Sequence, residues 1–102
     1  MKNMFRASSI EFIGTINASH VKSCEAMFRE CTRLKRIGKI NMPDLESCNE
    51  MFYGATSLLN ICSISIPSTV AHRDMFFNTE LGNRVYGRNG DALINRLRLL
   101  SL

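Results

Sequence analysis

The pair Met-Phe occurs four times, at Met4-Phe5, Met27-Phe28, Met51-Phe52 and Met75-Phe76, with spacings of 23, 24 and 24 residues. A chain with six methionines and six phenylalanines does not place four such pairs in register by chance. Other columns keep the same period. Ile13, Ile37, Ile61 and Val85 form one, Ile16, Ile40 and Ile64 a second, and Leu34 and Leu58 a third that Ile10 joins. Pro43 and Pro67 mark the same turn, and Cys24, Cys48 and His72 each precede a Met-Phe by three residues. Self-similarity at this period is the signature of stacked repeats, in which each unit buries against its neighbour an apolar face that it cannot bury alone.

Each unit has two halves of different periodicity. In "SCEAMFRECTRL" the residues Cys24, Met27, Phe28, Cys31 and Leu34 recur at steps of three and four, which predicts one face of a short helix. Ser23 and Ser47 stand where an N-cap accepts a hydrogen bond from the first free amides. The second half, Ile37-Gly38-Lys39-Ile40 or Ile61-Cys62-Ser63-Ile64, favours extended chain through its β-branched residues. Pro43 and Pro67 end the strand, because proline offers no amide to a ladder. The expected fold is an α/β repeat: a short leucine-rich-repeat-like solenoid of about four coils, each a short helix plus a strand. Its parallel strands would stack about 4.8 Å apart. Residues 1–102 form one domain on this reading, with coils at about 1–23, 24–47, 48–71 and 72–90. The segment 91–102 is then a cap or a dimerisation element.

The pattern Cys-x-x-Met-Phe-x-x-x-x-x-Leu-x-x-Ile-x-x-Ile-x-x-Pro, at Cys24 to Pro43 and again at Cys48 to Pro67, resembles the BspA-like leucine-rich repeats of bacterial and phage proteins, including the related mycoplasma surface-lipoprotein repeat. The likeness runs from residue 1 to about residue 81. It implies a repeat solenoid with a binding role and no catalytic residues. No signal peptide or lipid-attachment cysteine is expected from the opening MKNMFRASSIEFIGTINASH, and the repeat array is short. The expectation is therefore a cytoplasmic protein-binding regulator or inhibitor, phage-encoded and acting on a host protein, that occludes its partner. The alternative is a surface or virion adhesion element.

Composition supports a binder over an enzyme. The chain is 45% hydrophobic and 22% charged, and no stretch approaches the ~18 to 20 apolar residues of a transmembrane helix. The two histidines, His20 and His72, carry no local zinc or nucleophile signature, and the glycines form no phosphate-binding loop. Cys24, Cys48 and His72 share a column, but a linear ladder presents ligands poorly to a tetrahedral metal. No metal, cofactor or catalytic residue is expected. Cys24, Cys31, Cys48 and Cys62 are read as reduced, mostly buried thiols, with a Cys24–Cys48 disulfide between adjacent coils left open.

The net charge of +4 and the pI near 9.1 raise a nucleic-acid reading. Arg29, Arg33, Lys35, Arg36 and Lys39 cluster in the second unit, but Glu25, Glu30, Asp44 and Glu46 share it, and no aromatics interleave with the cations to stack bases. A solvated face or an acidic protein partner is the preferred reading. The position after each Met-Phe reads Arg6, Arg29, Tyr53, Phe77, so Tyr53 and Phe77 form an aromatic pair at an outward or flanking site. Aromatic enrichment with charge depletion is the composition of an interface centre. Phe77 tucked into the core is the equal alternative. The proposed contact set is Tyr53, Phe77, Arg29, Arg36, Lys39 and Asn60. In "GDALINRLRLLSL", Asp91 starts a short helix whose Leu93, Ile94, Leu97 and Leu100 make an apolar stripe. This stripe either shields the end of the last coil or joins two copies through Leu93, Leu97 and Leu100. The open end of the stack is a second place for a homodimer.

Overall fold

The isoleucine columns become strands in the computed structural model, which describes residues 1–100. They are β1 (Phe12–Asn17), β2 (Arg36–Asn41) and β3 (Asn60–Ser65), in one parallel sheet of order β1-β2-β3. The register is offset by 24 residues throughout. Ile13 pairs with Ile37 and Ile37 with Ile61, while Ile16 pairs with Ile40 and Ile40 with Ile64. Inward isoleucines three residues apart break the strict alternation of a strand, and Gly14 and Gly38, which lie between them, are left out of the paired positions. Both strands that precede a proline stop two residues short of it, at Asn41 and Ser65.

The Met-Phe halves are not helices. The residue before each Met is left-handed, at Asn3, Ala26, Glu50 and Asp74, and so is the second residue after each Phe, at Ala7, Glu30, Gly54 and Asn78. An α-helix does not accommodate such positions. Instead each unit makes successive β-turns, closed in the second unit by Met27 N–H to Cys24 O at 3.2 Å and Cys31 N–H to Phe28 O at 3.1 Å. The amides between them reach the next unit: Ala26 to Asn49 O at 3.0 Å, Phe28 to Met51 O at 2.8 Å and Glu30 to Tyr53 O at 2.6 Å. From Ala26 to Thr32 every amide is spent, within the turns or on the neighbour, and none of them remains for an i to i−4 ladder. Ser23 and Ser47 are not N-caps. They form isolated parallel bridges, Ser23 with Ser47 and Ser47 with Ala71.

The fourth repeat departs further. Val85, aligned by sequence with the isoleucine column, is 58% exposed in a single π-turn at Gly82–Tyr86, and no fourth strand forms among the described residues. After a turn with positive φ at Gly87 and Gly90, the chain enters α1 (Asp91–Leu100). The four-coil solenoid of helix-plus-strand units is therefore not the architecture. The chain is a small globule of 37 × 28 × 21 Å with one three-stranded parallel sheet and a C-terminal helix. The last two residues of the expected 91–102 segment lie outside the described residues.

One apolar core runs through it. The Phe rings stack at 5.3 Å (Phe5–Phe28), 5.5 Å (Phe28–Phe52) and 5.3 Å (Phe52–Phe76), nearly parallel, and Tyr86 closes the column at 5.2 Å with a tilt of 46°. Leu93 and Ile94 of α1 are buried at the same end. Cys24, Cys31 and Cys48 are unbridged and buried, whereas Cys62 is exposed. Burial pushes the Cys48 thiol up to about 12 and raises Cys24 and Cys31 as well. A thiol-specific reagent is thus expected to modify Cys62 alone in the native protein and all four after unfolding. Because the folded pKa lies above the ordinary 9.0, this contribution to stability is complete below pH 9 and is lost as pH rises toward 12. A urea midpoint that falls from pH 9 upward, and falls less in Cys48→Ala, is the expected result.

Candidate binding surface

The turns that send Met and Phe inward send the following residue outward. That column builds a ladder on the surface. Tyr53 and Phe77, both half-buried, stack with centroids 4.8 Å apart and planes at 28°. The Arg29 guanidinium lies 4.1 Å from the Tyr53 ring centre, and that of Arg88 lies 4.5 Å from the Phe77 ring centre. The result is a four-layer stack, cation, ring, ring, cation. Each cation is drawn to the negative face of the ring it covers.

Two carboxylates hold the cations. Glu50 bonds the Arg29 Nη1, and Asp74 accepts from Arg88 Nε at 2.6 Å. Both acids occupy the left-handed position before a Met, so the backbone conformation that excludes the helix also aims these carboxylates at the outward column. The Asp74 hydrogen bond and charge raise the Arg88 pKa further. Arg29 is held more firmly, with only 25% of its side chain exposed. Its buried Nε has no hydrogen-bond acceptor among the described residues and sits 3.6 Å from Glu30 Oε1, too far for a hydrogen bond. Arg73 approaches the other Glu50 oxygen at 3.8 Å, beside a polar cleft of about 220 Å³ lined by Lys2, Arg6, Arg29, Glu25 and Glu50.

The other expected contact residues lie elsewhere. Arg36, Lys39 and Asn60 are exposed on the outer face of the sheet, where Arg36 and Asn60 are register neighbours. The Tyr53 and Phe77 ladder belongs to the turn columns, so the six residues divide between two faces. Phe77 is neither core nor free: its ring is half-buried because Tyr53 and Arg88 flank it. In α1, Leu93 is fully buried, Leu97 packs partly against the core and Leu100 is 77% exposed. Leu93 is thus spent on capping.

Arg88, Glu50 and Asp74 were not singled out by sequence reasoning. The signal for the acids was present, since Asn3, Ala26, Glu50 and Asp74 form a column of the same period. Arg88 carried no such signal, because it lies past the end of the last regular unit. Also unforeseen was the apolar cleft of about 360 Å³ at the β1 end, lined by Met1, Met4, Phe5, Ile10, Phe12 and Ile13. Among the described residues no three His, Cys, Asp or Glu side chains converge as a metal site, and no helix is long and apolar enough to cross a membrane.

No curated protein and no solved structure matches the chain. A family model does, over residues 1–87, which takes in all three strands, the ring column and both rings of the ladder. By that match the chain belongs to the family described as Mycoplasma protein of unknown function, DUF285.

Proposed function

We propose that this chain is a non-catalytic module that binds an acidic protein partner through the Arg29–Tyr53–Phe77–Arg88 ladder. The observation that carries this reading is the stacking of two half-buried rings between two guanidinium groups that carboxylates already hold in place. Aromatic and arginine side chains dominate the energetics of protein interfaces, and side chains fixed before binding lose little entropy on contact. A partner presenting carboxylates would meet the free guanidinium edges, while its apolar groups would meet the ring edges. The module acts by occlusion, as a small intracellular regulator or inhibitor. The finer assignment to the BspA-like repeats, of bacterial or phage type, is supported by the Cys-x-x-Met-Phe spacing and is compatible with the family match.

The test is binding to a captured partner, measured with purified components. Tyr53→Ala/Phe77→Ala is expected to weaken binding by about tenfold or more, the scale of a hot spot. Arg36→Ala/Lys39→Ala, on the sheet face, is expected to leave it near the native value. Both variants are checked for native circular dichroism. Equal affinity of the native and ring-less chains, with both folded, sinks the assignment of this surface.

A further inference from the structure

The two ends of the ring column differ. At one, Tyr86 covers Phe76, and Leu93 and Ile94 are buried. At the other, Phe5 has Phe28 on one face and an apolar cleft beside it, with Met4 and Phe12 each 57% exposed. The same end carries β1, an edge strand of the sheet.

An edge strand presents unpaired N–H and C=O groups, which proteins usually guard with charge, proline or a covering element. Phe12–Asn17 has neither a charged residue nor a proline. Its sequence is also symmetric in function. Phe12 and Asn17 point outward at its two ends, Ile13 and Ile16 are turned toward the core, and Gly14 and Thr15 lie at the centre. An antiparallel copy related by a two-fold axis between Gly14 and Thr15 sets Ile13 opposite Ile16 and Phe12 opposite Asn17. Both isoleucines then stay on the core face. A slip of one residue would set Ile13 opposite Asn17 and Ile16 opposite Gly14, inward side chains against outward positions, so the pattern itself fixes the register. Just beyond the strand, Glu11 falls opposite Ala18, and no like charges meet.

We propose that β1 pairs antiparallel with β1 of a second copy of this chain, merging two three-stranded sheets into one of six and covering the apolar end. A two-fold contact of this kind is self-complementary and closes, so it stops at two copies. The other edge, β3, shares the uncharged pattern. There, however, Pro67 follows the strand, and the chain's own Tyr86 covers the ring column.

Light scattering and sedimentation of the full chain over a concentration series test this directly, with a mass of twice 11.6 kDa expected. Thr15 is exposed and in register with Lys39, so in Thr15→Glu the new carboxylate has a cation beside it within one copy. Across the two-fold axis, two such carboxylates repel. Thr15→Glu is expected to be monomeric with native circular dichroism, and Thr15→Lys likewise. An equal mixture of the two is expected to recover the doubled mass, because opposite charges then meet. Ser63→Glu, on β3, is expected to remain dimeric. A native chain that is monomeric at its highest soluble concentration overturns the proposal. So does a dimer that survives both Thr15 changes, or one that Ser63→Glu dissociates.

Discussion

Replacing Phe52 by alanine is expected to cost about 3–5 kcal/mol of stability, the range for emptying a buried phenylalanine site. Phe52 is fully buried with a ring on each face, Phe28 at 5.5 Å and Phe76 at 5.3 Å. Truncation therefore removes transfer energy and two ring contacts together, each worth about 0.5–1.5 kcal/mol beyond burial. The turn backbone cannot collapse into the gap, because Phe52 N–H is bonded to Met75 O and Met51 O accepts from Phe28. Against a total stability of about 5–15 kcal/mol for a domain, this loss takes a large share. Phe5→Ala serves as the comparison. Phe5 has one ring neighbour and is only partly buried, so its loss is expected to be clearly smaller. Urea unfolding at constant m-value measures both. Equal costs at the two positions would show that the column is not the continuous core that its geometry implies.

Much of this arrangement was legible in the sequence because the 24-residue period is a statement about register. Ile13, Ile37 and Ile61 align in the text and pair in the sheet, and the four phenylalanines of the Met-Phe pairs form the ring column. What misled was the local geometry of the other half. Spacings of three and four at Cys24, Met27, Phe28 and Cys31 fit a helix face, but consecutive β-turns bury the same positions. The residues that decide between them, Ala26, Glu30 and Glu50, adopt positive φ although alanine and glutamate are good helix formers. Their conformation is imposed by hydrogen bonds to the neighbouring unit, a tertiary effect that no single unit displays. The conformations at Asn3, Gly54, Asp74 and Asn78 were legible in principle, since these residue types tolerate the left-handed region. The surface is less legible in the sequence. Tyr53 and Phe77 stack because they share the period, whereas Arg88 reaches Phe77 from beyond the last repeat, where spacing carries no information.

Gly38→Ala is expected to lose about 1–3 kcal/mol or more, the penalty for forcing atoms into filled space, while Gly14→Ala is expected to be neutral or mildly stabilising. The two glycines occupy equivalent places in adjacent strands, yet their surroundings are not alike. A Cβ on Gly38 would meet the Gly14 carbonyl oxygen at 2.2 Å and its carbon at 3.2 Å. Both atoms belong to the backbone of β1, so no side chain can swing aside, and relief requires the strands to part. Parting them lengthens the ladder hydrogen bonds on either side of the glycines, around Ile13–Ile37 and Thr15–Lys39. At Gly14 no described atom lies within 4 Å of the added carbon, and its φ is not positive. Alanine there restricts the unfolded chain more than the folded one, an effect of about 0.4–1 kcal/mol in favour of folding. The equivalent position of β3 is Cys62, where a side chain is accommodated, so the steric limit belongs to the approach of β1 to β2 and not to the column as a whole. Thermal and urea unfolding of the two variants, on dilute protein, decide the matter. If alanine is tolerated equally at both positions, the close approach of Gly38 to Gly14 is not a feature of the folded chain.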